Sequence, residues 1–205
     1  MKALIIVDMQ NDFCPGGPLA VDSGDSIVPS INRIAPGFDV VVTTQDWHPQ
    51  NHGSFASNHQ GAKSYDVGTL SGRSQVLWPD HCVQNTRGAE LHPDLRIRGQ
   101  NFVKGTNPAA DSYSGFFDDD GASTGLHEYL RSRKVTHVYI CGLASDYCVK
   151  FTALDALKLG YTTVVLEDLC KGVNREPSDS QKAFEELRNA GASVEKTSSV
   201  EIEHP

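Results

Sequence analysis

The 205-residue sequence has no apolar run approaching the roughly 20 residues that cross a bilayer. Its N-terminal apolar stretch, in MKALIIVDMQ, is short and ends at Asp8 instead of a small-residue cleavage site. These absences argue against a membrane span and a secretory leader, and point to a cytoplasmic protein. There is no C-x-x-C pair, and the five cysteines (Cys14, Cys82, Cys141, Cys148, Cys170) are an odd number. A disulfide framework and a thiolate zinc site are both disfavoured, and at least one thiol is free. No block of Lys or Arg offsets the net charge of −8, which excludes nucleic acid as a natural partner. With no repeat, low-complexity tract or linker, the expectation is one domain over residues 1–205.

What is present is an ordinary globular composition, 39% hydrophobic and 21% charged, arranged as short β-rich runs separated by helical segments. The runs are Ala3 to Val7, Val40 to Thr43, Asn101 to Val103, His137 to Cys141, Thr162 to Leu166 and a weaker one near Ser193. Helices are predicted at Ile27 to Ile34, Thr124 to Arg133, Asp146 to Leu159 and Asp179 to Asn189. Gly160 supplies the stop after the third, which places Val149, Ala153, Ala156 and Leu157 on one face. Strands alternating with helices define an α/β fold with a mostly parallel sheet covered on both faces. From Trp47 to Gln100 periodicity fails in a Gly-, His-, Ser-, Asn- and Pro-rich stretch, and loops that long in compact domains usually carry function.

In open α/β sheets ligands bind beyond the carboxyl ends of the strands. Four predicted strands end in reactive residues: Asp8 in VDMQNDF, Asp46 and His48 in TTQDWH, Lys104 in FVKGT, and Cys148 in GLASDYC. An acid, a D-x-H pair, a base and a thiol are therefore expected on one rim. Ser145 or Asp146 can cap the helix that carries Cys148, leaving the thiol in its first turn, where the helix dipole and a nearby Lys favour thiolate. Asp46 and His48 fall on the same side of an extended segment and offer one oxygen and one imidazole, a set suited to a borderline divalent metal. His81 in LWPDHC is the natural third ligand; His52 and His59 are further histidines in the same stretch.

Taken together, VDMQNDFCPGGPLAV, TTQDWHPQNHGSFAS, LWPDHCVQNTRGAELHP, FVKGTNPAADSYSGF and CGLASDYCV resemble the nicotinamidase/pyrazinamidase branch of the isochorismatase-like cysteine hydrolases. Their order and spacing match over nearly the whole chain. The resemblance implies a three-layer α/β/α, Rossmann-like fold and a metal-containing amidohydrolase that converts nicotinamide and water to nicotinate and ammonia in NAD salvage, with pyrazinamide as a second substrate. It aligns Asp8, Lys104 and Cys148 with the catalytic triad, and Asp46, His48 and His81 with the metal ligands. Phe13 and Trp78 align with the aromatic pair that holds the ring. Ala144 follows Leu143 where the family has a cis peptide, and its N–H with that of Cys148 forms the implied oxyanion hole. His52 is a ligand in some relatives only, and Tyr147 stands where some relatives carry His.

The implied cofactor is one divalent ion, zinc first, with manganese and iron as alternatives that Asp and His accept equally. The implied partner is a small amide, and a homo-oligomer stays open. Two rival readings keep the scaffold: an isochorismate, ureido or carbamoyl hydrolase, whose members generally lack the D-x-H and W-P-x-H-C set, and a non-catalytic metabolite- or metal-binding protein.

Overall fold

Five consecutive residues of the first strand, Ala3 to Val7, have no solvent exposure at all, so both faces of the strand are covered. In the computed structural model, which describes residues 1–97 and 99–200, this strand (β1, Lys2–Val7) lies inside a six-stranded sheet. Of the single domain expected over 1–205, residues 98 and 201–205 lie outside the described residues. The other members are β2 (Val40–Asp46), β5 (Gln100–Lys104), β6 (His137–Leu143), β7 (Thr162–Lys171) and β8 (Ser193–Glu195), in the order β5-β2-β1-β6-β7-β8. Every neighbouring pair is parallel. The chain moves outward from β1 in one direction through β2 and β5 and in the other through β6, β7 and β8. The sheet thus has a switch point between β1 and β6, where α/β folds open a crevice.

The helices are α1 (Val28–Ile34), α2 (Leu126–Ser132), α3 (Lys150–Lys158) and α4 (Asp179–Ala190). Gly191, at φ 104, ends α4 in the left-handed conformation. The expected helix from Asp146 differs in its first turn: Ser145–Val149 is π-helical and passes into α3. Val149, Ala153 and Ala156 are buried as expected, with Leu157 only partly so. Within the long aperiodic stretch lies an antiparallel hairpin, β3 (Val67–Leu70) and β4 (Arg73–Val76). Its turn residues Ser71 and Gly72 have φ of 48° and 80°, the positive values a tight hairpin turn requires. Among the described residues no helix is long and apolar enough to cross a membrane.

Candidate active site

The carboxyl ends of four adjacent strands, β5, β2, β1 and β6, bring the expected residues to one rim. Asp46 and Lys104 are the last residues of β2 and β5 and stand opposite each other in register. Asp8 follows β1, and Cys148 sits in the π-helical turn after β6. Asp8 has φ 47, a left-handed backbone that Asp tolerates better than most side chains and that functional positions often hold. The peptide between Leu143 and Ala144 is cis.

Lys104 Nζ is the centre of the first cluster. It lies 3.0 Å from Asp8 Oδ2, donates to Asp46 Oδ1 and to Ser112 O (2.8 Å), and reaches Cys148 Sγ at 3.4 Å. Burial alone would lower the lysine, but Asp46 and Asp8 hold it well above its ordinary value, so a fully buried ammonium stays charged. Asp8 Oδ1 accepts a hydrogen bond from Thr44 Oγ1 at 2.6 Å. Asp8 Oδ2 is the one buried side-chain oxygen or nitrogen among the described residues without a hydrogen bond, because Lys104 approaches it off the line of one. An open carboxylate lone pair therefore stands beside the thiol.

Burial is the largest influence on Cys148 and pushes its thiol well above the ordinary range; Lys104 opposes this without overcoming it. The expectation of a resting thiolate at a helix end is thus corrected: a buried thiol beside two carboxylates keeps its proton. Neither Ser145 nor Asp146 caps the turn. The Asp146 carboxylate instead accepts from the N–H groups of Val173 (2.9 Å) and Asn174 (2.8 Å), tying the segment after β7 to the rim. Burial also raises Asp8, against the pull of Lys104.

The second cluster begins on the other oxygen of Asp46. Its Oδ2 lies 3.6 Å from His48 Nε2 and 3.9 Å from His81 Nε2, and all three residues are buried. His48 Nδ1 donates to Gly105 O (2.9 Å) and His81 Nδ1 to Pro79 O (2.7 Å), which turns both Nε2 atoms toward Asp46 Oδ2, and that carboxylate raises the His48 imidazole above its ordinary value against the effect of burial. Burial, with His48 beside it, holds His81 at about 4, so its imidazole is a neutral donor. One carboxylate oxygen and two backbone-oriented imidazoles fit a divalent metal, and three protein ligands leave positions open. Gly105 has φ +65, and any Cβ there would run into the His48 ring. The expected D-x-H geometry has a local cause: beyond β2, His48 pairs with Val83, and His48 N–H donates to Cys82 O at 3.0 Å, which draws His81 alongside. Gln10 supports the same corner, accepting from Asp46 N–H and donating to Asp46 O, both at 2.8 Å.

His52 lies next to His48, with ring centroids 4.3 Å apart, yet outside this donor group. Its Nδ1 pairs with Ser54 Oγ at 2.7 Å and its Nε2 is 3.3 Å from Ala110 O. His59 also turns away, with Nε2 2.7 Å from Gly53 O. A small cavity opens over both clusters. Phe13, Trp78, Ala144, Tyr147 and Cys148 line it, as do Asp46, His48 and His81. Sequence reasoning missed Asp111, Ser112 and Tyr113 in the same wall. The available signals were their place a few residues beyond Lys104 and their membership of the motif FVKGTNPAADSYSGF.

A buried thiol with an open carboxylate acceptor, a fixed cation and a set of metal donors around one small pocket is equipped for nucleophilic attack on a polarised carbonyl. The chain belongs to the isochorismatase family: the isochorismatase domain matches residues 2–199. Within it, the chain is 51% identical over 200 residues to the nicotinamidase of Escherichia coli, covering 94% of this chain and 93% of that one. The yeast nicotinamidase bound to the inhibitor nicotinaldehyde superposes with a TM-score of 0.92 at 35% identity, over 96% of this chain and all (100%) of that chain. The pyrazinamidase of Pyrococcus horikoshii in complex with zinc superposes with a TM-score of 0.79 at 41% identity, over 95% and 98% of the two chains.

Proposed function

We propose that this protein is an amidohydrolase that converts nicotinamide and water to nicotinate and ammonia, within NAD salvage, with pyrazinamide as a second substrate of the same ring-carboxamide shape. The observation that carries the reading is the open Oδ2 of Asp8 beside the buried Cys148 thiol that lines the cavity, joined to 51% identity with a nicotinamidase. Asp8 takes the thiol proton as Cys148 Sγ attacks the amide carbon, and Lys104 balances the negative charge that forms between them. The backbone N–H groups of Ala144 and Cys148 receive the oxyanion, a contribution of roughly 3 kcal/mol per donor in comparable sites. Asp8 returns the proton to the departing nitrogen and ammonia leaves a thioester. Water then attacks the thioester with Asp8 again as base, releasing nicotinate and restoring the thiol.

Asp46, His48 and His81 would hold the divalent ion, zinc first and manganese or iron in its place, which would supply a Lewis-acid site for orienting the ring. Phe13 and Trp78 flank the ring. The test is ammonia release from nicotinamide, from a ureido amide and from isochorismate as its own hydrolysis assay, each with and without chelator. Chelator-sensitive turnover of nicotinamide alone supports the reading; preferred turnover of either rival substrate rejects it.

A further inference from the structure

Asp111 is a carboxylate that the proposed chemistry leaves without a task. It is 4% exposed, lines the cavity, and lies on the segment between Lys104 and α2. Its Oδ1 accepts from Ser112 N–H at 2.9 Å, and its Oδ2 accepts from Gln75 Nε2 at 2.7 Å. Gln75 comes from β4 of the hairpin, is 5% exposed, and also places Nε2 3.1 Å from the Tyr113 hydroxyl and 2.8 Å from Val76 O. The same hydroxyl receives the indole N–H of Trp78 at 3.1 Å. Gln75 Nε2 has two hydrogens for three acceptors, so its contact with the hydroxyl is the longest and shared one, and the hydroxyl that accepts the indole N–H stands beside the Asp111 carboxylate. Burial, with Asp111 adjacent, keeps that phenol protonated.

We propose that Asp111 is a positioning residue for the ring pocket: its Oδ2 holds Gln75 against the Tyr113 hydroxyl and so fixes the indole of Trp78, which that hydroxyl accepts, against the substrate. The proposal rests on the amidase reading above. The polarity of the network has one consistent direction. Trp78 and Gln75 give, and the Tyr113 hydroxyl and the Asp111 carboxylate receive. Asp111→Asn keeps the oxygen that accepts from Ser112, so Ser112 O and its contact with Lys104 are preserved. It replaces the other oxygen by an amide that faces the Gln75 amide donor to donor. Gln75 then loses its anchor beside the Tyr113 hydroxyl, and Trp78 loses its fixed partner.

The experiment uses the full-length, metal-loaded protein and compares wild type, Asp111→Asn, Tyr113→Phe and the double variant by steady-state ammonia release from nicotinamide. Asp111→Asn should raise KM by about tenfold or more, the worth of one buried hydrogen bond to a charged group, and lower kcat by less than about threefold. Tyr113→Phe should raise KM in the same direction, and the double variant should be no worse than the weaker-binding single, because both act through one hydroxyl. Alkylation of Cys148 by iodoacetamide should stay within about twofold of wild type in all three. Unchanged KM in the single variants, effects that multiply in the double, or a parallel fall in alkylation would each overturn the role. If Asp111→Asn does not fold, Tyr113→Phe decides alone on the same KM criterion. Exchange of the Trp78 indole N–H with deuterium in the ligand-free protein is independent of turnover. It should quicken by at least about tenfold in whichever variant folds, and an unchanged rate refutes the proposal even if wild type proves inactive on nicotinamide.

Discussion

The two oxygens of Asp46 face two sites that differ in where their cation comes from. On Oδ1 the positive charge is Lys104, delivered by β5 in register with β2, so folding itself settles the balance among Asp8, Asp46 and Cys148. On Oδ2 stand two imidazoles and no lysine or arginine, a donor set that fits a divalent ion. His, Cys, Asp and Glu donors gather at both places, but the group of Asp8, Asp46 and Cys148 already surrounds an ammonium, whereas that of Asp46, His48 and His81 surrounds none. On the proposed reading the difference is a division of labour: the lysine side would carry bond making and proton transfer, and the histidine side would carry orientation.

The largest expected effect lies on the lysine side. Cys148→Ala should abolish amide hydrolysis while metal content, measured by elemental analysis, stays at the wild-type level; substantial residual turnover would remove the thiol from the mechanism. Next, Asp8→Asn keeps the side-chain shape but takes away the proton acceptor. Its kcat should fall by about two to four powers of ten with binding of nicotinate little changed. A loss confined to KM would show that Asp8 is not the base. On the histidine side, His81→Ala should release the ion whereas His52→Ala should retain it, since both nitrogens of His52 already have partners in Ser54 and Ala110. Equal metal loss in the two variants would make His52 a fourth ligand and erase the distinction drawn above.

Sheet-borne parts of the site were legible because each apolar run ends abruptly in a polar residue, and the parallel arrangement sends those ends to one rim. Asp8, Asp46 and Lys104 are of that kind, and Cys148 follows in the turn that β6 opens into. The loop-borne parts were legible only through motif resemblance, as with Phe13 and Trp78, or were missed. The hairpin of β3 and β4 was passed over because its strands, VGTL and RSQV, are mostly exposed and carry little alternation, although the Ser71-Gly72 pair is a turn signal. Thr44, Gln75 and Asp111 act by hydrogen bonds between segments about 36 residues apart, which no local pattern encodes. The protonation of Cys148 was misjudged for a related reason: a helix end and a lysine are visible in sequence, whereas the depth of burial that outweighs them is not.

The central claim, that the ion on Oδ2 of Asp46 orients the ring while the chemistry runs on the other side, is tested most directly by one ratio. kcat/KM for nicotinamide is measured against that for benzamide, whose ring offers no nitrogen, before and after chelation and after zinc is returned. The preference for nicotinamide should collapse by more than about tenfold without metal and recover with it, in keeping with the several kcal/mol that correct orientation of a reacting group supplies. A ratio that stays constant while both activities fall would contradict the account, because the ion would then be serving the reaction without contacting the ring.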